Sequence, residues 1–271
     1  MGAERASRAT LTISETAAEA GAAAGRAAAE ALTAALDTRN RARVLFASAP
    51  SQETMLHTLG SDPKVDWSRV TSLHMDDYLG LNPEHPASFG TWLSDHLPAA
   101  ARPGLDRIRL DADPDAEVRR YASRVAEAPF DLVCLGIGVN GHIAFNEPGD
   151  TDFEDPARVR KVALSDTSRQ QQVDEGLFAT LAEVPTHALT LTVPAMLSGR
   201  SLVCTVLGAA KADAVAAALT GPLTTDVPAS ALRTHDDVAI HLDATAASML
   251  PEDLRREATG ADSPNLASNK E

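Results

Sequence analysis

A short apolar run, FDLVCL (130–135), ends at three glycines spaced G-x-G-x-x-G: Gly136, Gly138 and Gly141. A glycine turn at the carboxyl end of a buried strand points to an α/β protein, and in such proteins chemistry gathers where strands end. His142, Asn146 and Glu147 follow the last glycine at once. The spacing is that of a dinucleotide-binding loop, but such a loop needs a long helix to begin inside it. Here Pro148 and Gly149 stand where that helix would be established. The ribose-binding acid is also misplaced, because Asp155 lies in the acidic loop EPGDTDFED rather than at the end of a second strand. A nicotinamide or flavin site is therefore not expected.

The rest of the chain alternates in the same way. An alanine-rich helix over about 15–36, capped by Ser14, precedes a strand at 43–50. Helices are expected near 52–59, 88–96, 115–128 and 210–219. Further strands are expected at 70–80, ending in Asp76 and Asp77, and at 108–110, 187–193, 202–208 and 237–243. Such alternation predicts one α/β domain over 1–254, an open, mostly parallel, Rossmann-like sheet with helices on both faces. The polar stretch 255–271 reads as a disordered tail. Four strand ends should meet at one site: 48–51, 76–78, 138–147 and 208–211.

The chain has 271 residues, 44% of them hydrophobic, and a net charge of −14. That field repels nucleic acid and anionic membrane surfaces, while a small phosphorylated ligand can still be held by local amides and cations. Cys134 and Cys204 lie in apolar runs and read as buried thiols. With no signal peptide and no long apolar run, the expectation is a cytoplasmic protein without membrane association.

Each candidate residue has a plain structural alternative. Asp76 and Asp77 can cap a helix or turn, or one of them can act as a general base in a cleft. His74 and Asp76 share a strand face, but two ligands do not make a metal site, so none is expected. His142 is either a solvated loop residue or an acid/base group whose tautomer Asn140 and Glu147 hold. Glu147 precedes a proline, which restricts it to extended backbone. Ser48 and Ser51 either cap the next helix or bind phosphate, and Lys211 is either a surface lysine or an anion contact at a helix start.

GIGVNGHIAFNEPG, with HMDDYLGL, HPASFGTWL and LGAAKADAV, resembles the glucosamine-6-phosphate deaminase (isomerase) family, related in fold to the 6-phosphogluconolactonases. The resemblance spans about 14–245. It implies conversion of glucosamine 6-phosphate and water to fructose 6-phosphate and ammonia, without cofactor or metal. His142 would shuttle the ring-opening proton with Glu147 and Asn140 behind it, and Asp76 would be the base, with Asp77 beside it. Ser48, Ser51, Gly138, Arg169 and Lys211 would contact the sugar phosphate.

Three departures stand out. Asn140 replaces an aspartate and so predicts a lower histidine pKa. Ser-Ala-Pro-Ser replaces a Thr-Gly-Gly-Thr phosphate loop, with Pro50 lacking an N–H. Arg169 precedes QQQV, whereas the family's arginine position matches Val173. Asp150, Asp152, Glu154 and Asp155 place negative charge where the family has its effector site. Another amino-sugar phosphate, the reverse amination, lactone hydrolysis and a non-catalytic sugar-phosphate regulator are the competing readings. Family members range from monomers to hexamers, so a homo-oligomer is compatible with the sequence.

Overall fold

The computed structural model describes residues 10–259. In chain order the strands are β1 (Thr10–Ser14), β2 (Ala42–Phe46), β3 (Val70–His74), β4 (Asp76–Tyr78), β5 (Leu105–Asp106), β6 (Leu132–Leu135), β7 (Val159–Ala163), β8 (His187–Leu191), β9 (Leu202–Val206) and β10 (Val238–Asp243). The helices are α1 (Ala17–Arg39), α2 (Glu53–Gly60), α3 (Phe89–His96), α4 (Pro114–Ala126), α5 (Asp166–Asp174), α6 (Val193–Leu197), α7 (Ala212–Thr220) and α8 (Glu252–Thr259).

Seven strands form one sheet in the order β1-β10-β9-β6-β2-β3-β5, and every pairing in it is parallel. Both of its faces are covered, as the near-continuous apolar strands require. Alternate residues serve opposite layers. On β2, Val44 and Phe46 pack toward α1 and α2 while Leu45 faces the other core; on β6, Leu132 and Cys134 face α1 and Val133 and Leu135 the reverse side. Cys134 and Cys204 are buried on opposite faces of the sheet and are free thiols, both with pKa raised by burial. The chain moves outward from β2 to β3 and β5 on one side, and from β6 to β9 and β10 on the other. That reversal opens a crevice at the carboxyl ends of β2 and β6, the expected place for a ligand.

Helix α1 begins at Thr16, not at Ser14. Thr16 and Glu19 form a reciprocal capping box, with Thr16 Oγ1 accepting from the Glu19 N–H at 3.2 Å. Ser14 instead ends β1, a strand absent from the expectations above. The buried face of α1 is alanine and glycine from Ala20 to Ala29, with Leu32 and Leu36 beyond, and α2 lies close against Gly21 and Gly25. A Cβ on Gly25 would fall 2.5 Å from Thr58 Cβ and 2.7 Å from the Met55 carbonyl oxygen. Alanine is the better helix former, so Gly25→Ala would help an isolated helix. Here overpacking outweighs propensity, and the variant is expected to lose about 1–3 kcal/mol of stability by denaturant titration. A rise in stability would mean that α2 can move away freely.

Four other expectations are corrected. The 70–80 stretch is not one strand. At Met75 the chain leaves the main sheet: its N–H donates to Phe46 O at 3.1 Å, while its carbonyl accepts from Leu191 N at 2.8 Å. Asp76–Tyr78 then pairs antiparallel with β8, which pairs antiparallel with β7, so the 187–193 strand also belongs to this three-stranded second sheet. The strand expected at 108–110 lies instead at Leu105–Asp106. Residues 255–259, read as the start of a disordered tail, complete α8, with Ala258 buried; residues 260–271 lie outside the described part. After the glycine turn the next regular elements are β7 and then α5. Among the described residues, no helix is long and apolar enough to cross a membrane.

Candidate active site

The crevice is a cavity walled by six segments, one of them Phe89 at the start of α3. Four are the strand-end segments expected to meet: Ser48 and Ser51 after β2, Asp76 on β4, Gly138 and His142 after β6, and Lys211 before α7. The sixth is α5, which contributes Gln171, Gln172 and Glu175. These three and Ser168 follow the spacing i, i+3, i+4, i+7, one face of a helix. That polar stripe is the sequence signal that could have found them.

Asp76 and Asp77 are adjacent on a strand and therefore point to opposite sides. Asp76 lines the cavity. Its carboxyl pKa is raised well above the ordinary value, first by burial and then by the charge of Asp77. Asp77 points away from the cavity and is fully buried. Its carboxylate accepts from the N–H groups of Tyr78, Phe89 and Gly90 and from Ser88 Oγ, at 2.9–3.0 Å. It ties β4 to the start of α3, where charge and helix dipole agree. The expected substrate contact from Asp77 is therefore corrected to a capping role.

His142 is held by a wired shell. Glu147 Oε2 accepts from Asn140 Nδ2 at 2.8 Å, which turns Asn140 Oδ1 toward His142. That oxygen accepts from the His142 backbone N–H at 3.1 Å and lies 2.7 Å from ring Nδ1. Nδ1 therefore carries the proton, and Nε2 is left as the basic nitrogen. Ser168 Oγ donates to Glu147 Oε1 and stands 3.2 Å from Nδ1. Glu147 itself is 3.9 Å from the ring, so it acts on the histidine through Asn140 and Ser168. Asn140 and Glu147 stand behind the ring rather than on the cavity wall. Sequence reasoning did not single out Ser168.

The ring lies directly over Gly138. A Cβ there would come 2.1 Å from His142 Nε2 and Cε1, so the glycine is what allows the ring its place. The turn is closed by Gly138 N donating to His142 O at 2.9 Å and by Gly141, whose φ of 86° suits glycine. Burial lowers the His142 pKa; the carboxylate of Glu147 opposes this and Lys211 reinforces it. Burial leads this shift, and the part expected from Asn140 is what the Asn140→Asp substitution tests. Asn140→Asp is accordingly expected to raise the His142 pKa, because a carboxylate in place of the amide favours the imidazolium. An NMR titration of the ring protons checks this, and an unmoved midpoint would deny the contact.

Also on the cavity wall, Ser48 Oγ is buried without a partner, as are Gln52 Oε1 and Thr205 Oγ1. Unpartnered buried polar atoms on a cavity wall are groups kept for a polar ligand. Lys211, half-buried, has its pKa lowered by burial, with Glu175 opposing. Arg169 is not in this set. It turns to the far side of α5, bonding the Leu181 carbonyl at 2.6 Å, the Val184 carbonyl at 3.1 Å and Asp166 at 3.1 Å. Its expected sugar-phosphate contact is withdrawn, for it lies off the 168/171/172/175 stripe. Val173, at the family's arginine position, packs against an aromatic cluster around Tyr78. His74 is structural: Nδ1–H donates to the Asp76 carbonyl at 2.8 Å and Nε2 accepts from Ile108 N at 2.9 Å.

Residues 15–240 match the glucosamine-6-phosphate isomerase/6-phosphogluconolactonase family. The chain belongs to that family. A glucosamine-6-phosphate deaminase of Exiguobacterium sibiricum is 37% identical over 200 residues, covering 73% of this chain and 77% of the relative. One of Lacticaseibacillus paracasei is 36% identical over 216 residues, covering 78% and 88%. Among solved structures, a monomeric glucosamine-6-phosphate deaminase superposes with a TM-score of 0.80 at 30% identity, covering 89% of this chain and 99% of that one. A 6-phosphogluconolactonase from Thermotoga maritima superposes at 0.70 with 15% identity, covering 87% and 100%, and so shares the fold.

Proposed function

We propose that this protein is an amino-sugar-phosphate deaminase that converts glucosamine 6-phosphate and water to fructose 6-phosphate and ammonia. The observation that carries the reading is the opposition of two groups across one cavity. Asp76 is a buried carboxyl with a raised pKa, and His142 has its tautomer set by the Glu147–Asn140 chain.

Ring opening requires a proton to leave the anomeric hydroxyl and another to reach the ring oxygen. His142 Nε2, unprotonated in the resting state, takes the first and returns it as the second. Asp76 then removes the proton at C2 and delivers one to C1, while the amino nitrogen loses a proton and O1 gains one, giving a C2 imine. Water adds at C2, the carbon–nitrogen bond breaks, and ammonia leaves with the ketose behind. A carboxyl whose pKa lies above the ordinary range is a stronger base once ionised, which suits removal of a carbon-bound proton. The phosphate is placed against Ser48, Ser51 and Lys211, with the amino end of α7 adding its dipole.

Glu147 favours this reading over lactone hydrolysis. A ring-opening histidine that gains and loses a proton between two sugar oxygens benefits from a carboxylate coupled to it, and hydrolysis of a lactone, a cyclic ester, has less need of one. The identities of 34–38% to proteins named as deaminases, against 15–20% to lactonase structures, lean the same way. The test is to supply glucosamine 6-phosphate, galactosamine 6-phosphate and 6-phosphogluconolactone separately and to follow ammonia, ketose phosphate and lactone loss. Rapid lactone loss with no ammonia from either amino sugar would overturn the proposal.

A further inference from the structure

The reaction described above leaves Glu175 without a role. It follows the last residue of α5 and directs its carboxylate to the cavity, with Oε1 3.5 Å from Lys211 Nζ. Gln171 Nε2 donates to the same oxygen at 2.7 Å. Among the described residues lining the cavity, Lys211 is the only lysine or arginine, so the phosphate has one formal cation to meet. A carboxylate already sits on it. The pair is not a solvated surface bridge, since the Lys211 side chain is only 12% exposed and that of Glu175 24%. Ser48 Oγ, on the same cavity wall, is buried without a hydrogen-bond partner. The lysine is thus engaged by a carboxylate while the serine hydroxyl is not engaged.

We propose that Glu175 is a specificity-determining residue: it takes the place of the phosphate on Lys211 in the free protein and releases the lysine when an anionic ligand binds. The proposal rests on Lys211 being the phosphate contact. A phosphate dianion and a carboxylate sharing one ammonium in a half-buried site repel each other. Binding is therefore a replacement, and Glu175 sets how strongly anionic a ligand must be to win Lys211. The backbone favours the exchange. Gly176 closes the helix end at φ 78° with open space around it, and the Leu177 N–H already caps the Gln172 carbonyl at 3.0 Å. The carboxylate can swing away without unwinding α5.

The probe is inorganic phosphate, titrated by calorimetry into the full chain and into Glu175→Gln and Asp174→Asn. Glu175→Gln is expected to tighten phosphate by about fivefold, the factor that ~1 kcal/mol represents. The KM for glucosamine 6-phosphate should fall by a similar factor, with a smaller change in kcat. Asp174→Asn removes the same charge one residue away, at an exposed side chain, and should change phosphate affinity by less than about twofold. Equal or weaker phosphate binding in Glu175→Gln overturns the proposal, and so does an equal gain in Asp174→Asn, which would reflect the general field. Failure of the wild type to release ammonia counts against the proposed reaction, whereas the phosphate titration reads Glu175 without turnover. No phosphate binding in wild type or Glu175→Gln would overturn both Glu175's role and Lys211 as the phosphate contact.

Discussion

Asp76→Asn is expected to lower kcat by about 10³-fold or more, within the range that loss of a positioned general base produces. Substrate binding should survive, because the amide keeps the shape and the residues proposed to meet the phosphate, Ser48, Ser51 and Lys211, are unchanged. Exchange of the C2 proton with solvent should disappear; persistent exchange would assign the base elsewhere. The same substitution should stabilise the fold. Burial and Asp77 raise the Asp76 pKa above its unfolded value, so the native state holds its proton more tightly. Between the two pKa values the folded protein binds more protons than the unfolded one, and stability contributed by this group falls as pH rises through that window. Above the folded pKa the ionised carboxylate is a standing cost, which Asn removes. The variant should melt at a higher temperature at neutral pH, and its advantage should vanish below the ordinary carboxylate range. For the wild type, kcat/KM should fall on the acidic side with a midpoint above that range. A midpoint near an ordinary carboxylate value would argue against Asp76 as the ionising base.

Gly138→Ala is the second substitution with a large expected effect. The methyl group would lie 2.1 Å from two atoms of the His142 ring, so the ring has to leave its seat. Displacement by an ångström or so breaks the alignment of Nε2, and kcat is expected to drop by about 10²-fold. Global stability should change by only about 1–3 kcal/mol, the usual cost of one added methylene in a packed site. The backbone at Gly138 does not lie in the left-handed region, so alanine is tolerated there conformationally. A folded but nearly inactive variant, with altered His142 ring resonances, is the expected result. Full activity would mean that the ring's position over the glycine is irrelevant to turnover.

These two positions also mark what could be read in advance. The G-x-G-x-x-G turn, the missing helix after it and the run His142 to Glu147 were legible because they are local: strand, turn and proline chemistry act within a few residues. The parallel sheet followed from alternation, whereas the lowered pKa of His142 comes first from its burial, which only the packed structure supplies. The wiring itself was only half legible. Asn140 and Glu147 were expected to steer the ring, but Ser168 reaches it from 26 residues away and only through α5.

What the sequence alone determined, then, is the α/β class and the four strand-end segments that meet at the cavity, with Asp76, His142 and Lys211 on its wall. Tertiary structure decided which neighbour of each pair faces the ligand. Asp76 enters the cavity and Asp77 caps α3 because the chain leaves the main sheet at Met75 and joins β8. Arg169 turns outward while Gln171, Gln172 and Glu175 turn inward because α5 lies across the cavity on one helical face. Side-chain direction on a strand or helix has a fixed period, but its phase is set only when another element packs against it. That phase depends on contacts between segments as far apart in sequence as Met75 and Leu191, and no local pattern of residue types carries it.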